Sequence, residues 1–175
     1  LELGGKNPNV IFADADYDAA LDNAMNAAFV HSGQVCSAGA RLVVEESVAE
    51  RFVTDLVARA EKVRLGGPFD EKAETGALIS EAHREKVSNY VAHAREQGAR
   101  VRCGGAFGTG PTADGSASLD DGWFYLPTVI DQCTQEMDCV HDEAFGPTVT
   151  VETFSTEEEA IRIANDTNYG LAGAV

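Results

Sequence analysis

The stretch "VIFADADYDAALDNAMNAAFV", residues 10–30, joins a short apolar run to a longer segment with helical spacing. The run VIFA at residues 10–13 is typical of a buried strand. Asp16 is placed to cap a helix over residues 17–30, whose alanines form a small-residue face. A buried strand followed by a capped helix is the repeating unit of α/β folds, and this stretch therefore predicts that class.

The same order of strand and helix recurs along the rest of the chain. Between these elements the segment 104–122 is rich in glycine, serine and aspartate, and we expect it to be a flexible surface loop within a single domain spanning 1–175. The alternation favours a parallel sheet. Further strands are predicted at 41–45, 99–105, 125–131 and 148–154, and further helices after Ser47, at 80–97 and at 156–165.

The charge of the chain disfavours two classes of partner. Its 175 residues include 13 Lys and Arg against 29 Asp and Glu, a net charge of −16. Nucleic acids and anionic membrane surfaces repel such a chain. No run approaches the roughly 18 apolar residues of a membrane span, and we expect a cytoplasmic protein.

The four cysteines are expected to be free thiols in a reducing compartment. Cys133, Cys139 and His141 lie close together in a C-x5-C-x-H pattern. That spacing matches none of the usual zinc sites, and no second pair follows, so no metal is predicted.

Cys36 is surrounded by small and polar residues in "HSGQVCSAGAR", residues 31–41. Buried structural cysteines usually have apolar neighbours. Small neighbours leave room for another molecule at the sulfur, and a thiolate is a strong nucleophile. Cys36 is therefore either a catalytic nucleophile or an ordinary loop cysteine.

The segment "LELGGKNPNV", residues 1–10, offers a candidate base and a flexible backbone. Glu2 lies between two leucines, and desolvation raises the pKa of a carboxylic acid toward the range of a general base. Gly4 and the glycine after it permit close approach of a ligand. The alternative is a surface acid beside a glycine turn.

Glu143 and Phe145 lie in "HDEAFGP", residues 141–147, just before a predicted strand. Alternate residues of an extended segment project to one side. These two side chains are thus expected to face one ligand together, unless they are a solvated acid and a core phenylalanine.

Four motifs in this order resemble the aldehyde dehydrogenase superfamily. They are "LELGGKNP" (1–8), "GQVCSAGAR" (33–41), "EAFGP" (143–147) and "AIRIANDTNYGLAGAV" (160–175). The stretches "GQVCSA" and "PTVIDQCTQEM" are most similar to its betaine-aldehyde and aminoaldehyde branch.

The resemblance implies a three-layer catalytic domain with a parallel sheet, acting on an aldehyde with NAD or NADP. It makes Cys36 the nucleophile and Glu2 the general base. Gly4 would lie beside the nicotinamide, Glu143 would bind its ribose, and Phe145 would lie near the same ring. The whole protein is expected to be a homo-oligomer.

The resemblance also implies that the chain is part of a longer protein. The cofactor-binding domain is expected largely before Leu1 and more of the catalytic domain after Val175, so the segment alone is expected to be weakly active or inactive. Two alternatives remain: a non-catalytic binding or structural domain that keeps the fold, and a slow thiol esterase.

Overall fold

The strands form one sheet with the order β1-β2-β5-β4-β3. The computed structural model describes residues 3–175. Neighbouring strands run parallel from β1 to β4 through β2 and β5. This confirms the predicted α/β class. The strands are β1 (Pro8–Ile11), β2 (Arg41–Glu45), β3 (Arg100–Cys103), β4 (Thr128–Asp131) and β5 (Thr148–Phe154).

The edge strand β3 departs from the predicted parallel sheet, because it pairs antiparallel with β4. A parallel connection needs a crossover, usually a helix. The chain between β3 and β4 contains only a glycine-rich loop with a short 3-10 helix, Leu119–Asp121. It therefore returns beside β3 in the opposite direction.

Three of the helices begin at polar caps. Asp16, Ser80 and Thr156 each accept a hydrogen bond from a backbone N–H of the first turn. The second helix instead starts directly after β2, one residue before Ser47 and without a side-chain cap. The helices are α1 (Tyr17–Phe29), α2 (Glu46–Ala60), α3 (Glu81–Glu96), α4 (Asp138–His141) and α5 (Glu157–Asn165).

The sheet is covered on both faces, as the three-layer arrangement requires. Leu42 and Val44 of β2 pack with α1 and α2, whereas Val43 between them packs with α5 on the opposite face. Ile130 of β4 packs with α3, also on that second face. The alternation of side chains along each strand thus divides the core into two layers.

A buried ion pair lies on the second face of the sheet. Arg41 Nε and Glu152 Oε2 are 2.7 Å apart, and the two side chains are 0% and 3% exposed. The remaining Arg41 nitrogens donate to the carbonyls of Ile163 and Asp166 at the end of α5, at 3.0 and 3.1 Å. The first residue of β2 therefore holds α5 against the sheet.

The loop 104–122 has anchors that its composition does not indicate. Leu119 is buried in a cluster with Leu65 and Phe124, and the Ala113 N–H donates to the Leu65 carbonyl at 2.9 Å. The exposed tip lies at 114–117. The mobility of this loop stays a prediction, and we expect the mobile part to be the tip at 114–117.

Within residues 3–175, no helix combines the length and the hydropathy needed to cross a membrane.

Candidate active site

Cys36 lies on the loop between α1 and β2, after the turn Val30–Gly33. It is partly exposed, whereas the other three cysteines of the chain are buried. The Ala38 N–H donates to the Val35 carbonyl at 3.0 Å, so that Cys36 lies within a tight turn. Of the four thiols, the accessible one is therefore Cys36, the thiol beside which the sequence predicts room for another molecule.

Asn7, directly before β1, holds this loop in place. Its side-chain nitrogen donates to the carbonyls of Cys36 and Ala38, at 2.9 and 3.0 Å. Its side-chain oxygen accepts the Ala172 N–H at 3.0 Å. The side chain is 2% exposed, so its three hydrogen bonds fix the backbone on both sides of Ser37 without competition from water.

Gly5 brings two of the predicted motifs into contact with the Cys36 loop. A Cβ on Gly5 would lie 2.5 Å from the Cys36 carbonyl oxygen, so the approach requires glycine. The Gly5 N–H donates to Glu143 Oε1 at 2.9 Å. Gly4 has a φ of +69°, and a Cβ there would lie 2.9 Å from Glu143 Oε2. The Gly4–Gly5 backbone is thus placed between the Glu143 carboxylate and the nucleophile loop.

Phe145 is not extended as predicted, because its φ is +53°. Phe145 and Glu143 are therefore not alternate residues of one extended segment. Both residues nevertheless line the same cavity of about 20 Å³, together with Gly5. His83 on α3 supports Phe145: its Nε2 lies 2.6 Å from the Phe145 carbonyl oxygen, and the two rings meet edge to face.

Glu2 lies outside the described residues, and its role as general base stays a prediction.

Lys6, which directly follows the glycine pair in the sequence, has a buried side chain. Its Nζ donates to the Tyr90 hydroxyl at 2.8 Å, and that hydroxyl donates to the Cys139 carbonyl at 2.6 Å. Burial lowers the pKa of Lys6 to about 8. Among the ion pairs of residues 3–175, none involves Lys6, so the hydroxyl is its polar support in place of a carboxylate.

The cysteine and histidine cluster near β4 does not form a metal site in the described part of the chain. The Sγ atoms of Cys133 and Cys139 lie 4.0 Å apart. His141 Nε2 lies 2.7 Å from the Gln135 carbonyl oxygen and is engaged there. No group of three or more His, Cys, Asp or Glu within residues 3–175 is arranged to hold a metal ion.

Several supporting residues have no signal in the sequence. Tyr90 and His83 lie on α3, and a helical pattern does not show which distant backbone atoms a side chain reaches. Asn7 lies within the segment 1–10 singled out for its glycines, but nothing in the sequence shows which backbone atoms its amide reaches. Contacts across many tens of residues become visible only in the folded chain.

The chain has counterparts among known proteins. The model of the aldehyde dehydrogenase family matches residues 1–175, and the chain belongs to that family. Within the family it is similar to the betaine aldehyde dehydrogenase of Bacillus subtilis, with 51% identity over the whole chain and 34% of the relative. It is 43% identical to the 4-trimethylaminobutyraldehyde dehydrogenase B of Danio rerio, covering 100% of the chain and 33% of the relative.

Solved structures extend this similarity to the fold. A crystal structure of the betaine aldehyde dehydrogenase of Staphylococcus aureus in complex with NAD+ matches with a TM-score of 0.92 and 50% identity. The match covers 100% of this chain and 34% of that one. The chain therefore spans about a third of the length of the relatives that it matches.

Proposed function

We propose that the whole protein oxidises an aldehyde to a carboxylate with NAD+, and that this chain supplies the nucleophile. One observation carries the proposal: the accessible Cys36 loop packs directly on Gly5, whose N–H binds Glu143. Three separate motifs thus meet where the backbone of the Cys36 loop, the glycine pair and the Glu143 carboxylate are adjacent.

The proposed reaction begins at the Cys36 sulfur. The thiolate adds to the aldehyde carbon, forming a C–S bond and moving the carbonyl electrons onto oxygen. The backbone N–H of Cys36 is the expected donor to that oxyanion. Asn7 holds the Cys36 carbonyl, so it restricts the backbone on which the reacting sulfur is mounted.

We infer that the residues around the glycine pair bind the nicotinamide end of NAD+ in the whole protein. Gly4 has left-handed backbone geometry, and the Glu143 carboxylate lies directly against it. A carboxylate has about four acceptor positions, and Gly5 uses one of them. Glu143 therefore retains capacity for a ribose hydroxyl, and Phe145 would lie near the ring. When bound, NAD+ would be the hydride acceptor: the carbon of the sulfur adduct would lose a hydride to it and become a thioester.

Glu2 is the proposed base of the last step. It takes one proton from water, whose oxygen attacks the thioester carbon; the C–S bond breaks and Cys36 is left as the thiolate. The carboxylic acid formed loses its proton to solvent and leaves as the carboxylate. In the sequence Glu2 comes three residues before Gly5, whose N–H donates to Glu143.

The names of the relatives suggest the class of aldehyde. Betaine aldehyde and 4-trimethylaminobutyraldehyde both carry a trimethylammonium group. We therefore extend the proposal to aldehydes with a quaternary ammonium group. We also propose a cytoplasmic homo-oligomer, and we expect the 175-residue segment alone to be weakly active or inactive.

The test measures NADH formation by the whole protein with betaine aldehyde. Cys36→Ala is expected to abolish it, whereas the matched variant Cys103→Ala, at a buried thiol, retains it. Limiting iodoacetamide is expected to label Cys36 before the buried thiols. Preferential labelling of any other cysteine contradicts the assignment.

The same assay separates the alternatives. Hydrolysis of an activated ester without any NADH formation from aldehydes would indicate a thiol esterase. Neither activity in the folded whole protein would indicate a non-catalytic domain. NADH formation with a simple aliphatic aldehyde but not with betaine aldehyde would refute only the quaternary ammonium specificity.

A further inference from the structure

The backbone just before Cys36 adopts an unusual left-handed turn. His31 has φ and ψ of 51° and 34°, and Ser32 has 58° and 32°. Gly33 follows with a φ of 68°. Residues other than glycine visit this region mostly as single residues, because the Cβ crowds the following carbonyl oxygen. Two successive residues with side chains there persist only where the surrounding structure holds them.

Ser32 is held by a residue distant in the sequence. Its N–H donates to Thr75 Oγ1 at 2.8 Å, and its hydroxyl donates to the Gly76 carbonyl at 2.6 Å. The single hydroxyl hydrogen of Thr75 has two acceptors in reach, Ser32 Oγ at 2.9 Å and the Phe29 carbonyl at 3.2 Å. Thr75 thus bonds to the chain on both sides of the change in backbone direction.

The hydrogen bonds between Ser32 and Thr75 are buried, so water cannot take the place of either partner. Ser32 is 3% exposed and Thr75 is 9% exposed. Water cannot easily replace the Thr75 hydroxyl, so its loss would leave the Ser32 N–H without a partner. The left-handed turn and its support therefore depend on each other.

Two further contacts restrict the chain between the turn and Cys36. A Cβ on Gly33 would lie 2.0 Å from the Gly146 carbonyl oxygen, so the turn is pressed against the residue after Phe145. Gln34 Oε1 accepts the Ile79 N–H at 2.9 Å. The segment 75–79 therefore forms hydrogen bonds with both Ser32 and Gln34, close to the nucleophile in the sequence.

We propose that Thr75 is a positioning residue for Cys36, acting through the left-handed turn at Ser32. It sets the direction in which the chain enters the nucleophile loop and does not touch substrate. This inference rests on the proposed function for its catalytic consequence, but the structural part does not.

The first test is hydrogen exchange at residues 30–38 of the whole protein. Thr75→Val has nearly the same shape and removes the hydroxyl. We expect exchange of the Ser32 amide to accelerate at least about tenfold, because its acceptor is lost. Thr75→Ser keeps the hydroxyl and is expected to restore protection.

A matched control comes from Thr150. It is 0% exposed, and its Oγ1 has no hydrogen-bond partner among the described residues. Thr150→Val makes the same chemical change without removing a bond, and is expected to leave exchange at 30–38 unchanged. Val91→Ala, on the buried face of α3, controls for a general loss of stability.

The second test separates positioning from stability. Displacing a reacting group by about 1 Å costs on the order of 10²-fold in rate. Thr75→Val is expected to lower kcat by roughly this factor with an unchanged KM for NAD+, with recovery in Thr75→Ser. Val91→Ala, at a comparable loss of Tm, is expected to leave kcat per active site unchanged.

Unchanged exchange in Thr75→Val, or equal effects in Thr150→Val, overturns the proposal. Faster exchange with an unchanged kcat also overturns it, since the turn then does not position the thiol. If the unmutated protein oxidises no aldehyde, the proposed function fails, and the exchange result alone decides whether Thr75 holds the turn.

Discussion

Removing the charge of Glu152 is expected to destabilise the protein strongly. Glu152→Leu leaves the Arg41 guanidinium at 0% exposure without its carboxylate, which lies 2.7 Å away in the native chain. Removing one partner of a buried pair costs about 3–5 kcal/mol, because the remaining charge is desolvated and unpaired. For a chain of this length each kcal/mol lowers Tm by roughly 2–4 °C, and the expected loss is about 6–20 °C.

The double variant Arg41→Met/Glu152→Leu tests the cause of that loss. Without either charge, the desolvation cost disappears, although two carbonyls at the end of α5 lose their donor. We expect the double variant to lose about 2–3 kcal/mol less unfolding free energy than the two single variants lose together. The exposed pair Arg162–Glu159 is the control, and Arg162→Met is expected to cost below about 1 kcal/mol.

The assay is thermal and urea unfolding followed by circular dichroism. If Glu152→Leu loses less than about 1 kcal/mol of unfolding free energy, as the exposed control does, the result would falsify the view that Glu152 compensates a buried charge on Arg41. Strict additivity of the two single variants would show that the two side chains act independently.

Three further predictions concern the site and the loop. In the whole protein, Glu2→Gln should lose about 10²–10⁴-fold in steady-state turnover yet retain a burst of about one NADH per site in rapid mixing; turnover at the unmutated rate refutes its role as base. Limited proteolysis should cut first at 114–117, and a first cut inside α5 contradicts this. The pKa of Lys6 is about 8 in the folded chain against 10.5 for an unburied lysine. Below pH 8 both states bind the proton and the burial cost is fully present; from about pH 8 to 10.5 only the unfolded state binds it. The unfolding free energy of the native chain minus that of Lys6→Met should therefore rise by up to about 3 kcal/mol over that interval, and a flat difference in pH-dependent urea titrations excludes the buried cation.

Local chemistry was readable from the sequence where it acts over a few residues. Asp16 caps its helix as predicted, because a cap bonds to the backbone of its own first turn. The strand at Arg41–Glu45 matches its apolar run. The accessibility of the Cys36 thiol was predictable, because its neighbours in the sequence are small.

The tertiary structure alone decided which of these parts meet. The antiparallel β3 followed from the path of a loop, not from the composition of the strand. The contact of Gly5 with both Cys36 and Glu143 joins segments that no local pattern relates. The same is true of Thr75 and Ser32: a threonine in a loop has no sequence signal for supporting a distant turn. Hydrogen bonds between remote residues depend on the packing of the whole sheet and its helices, and the short-range preferences that form strands and caps do not encode them.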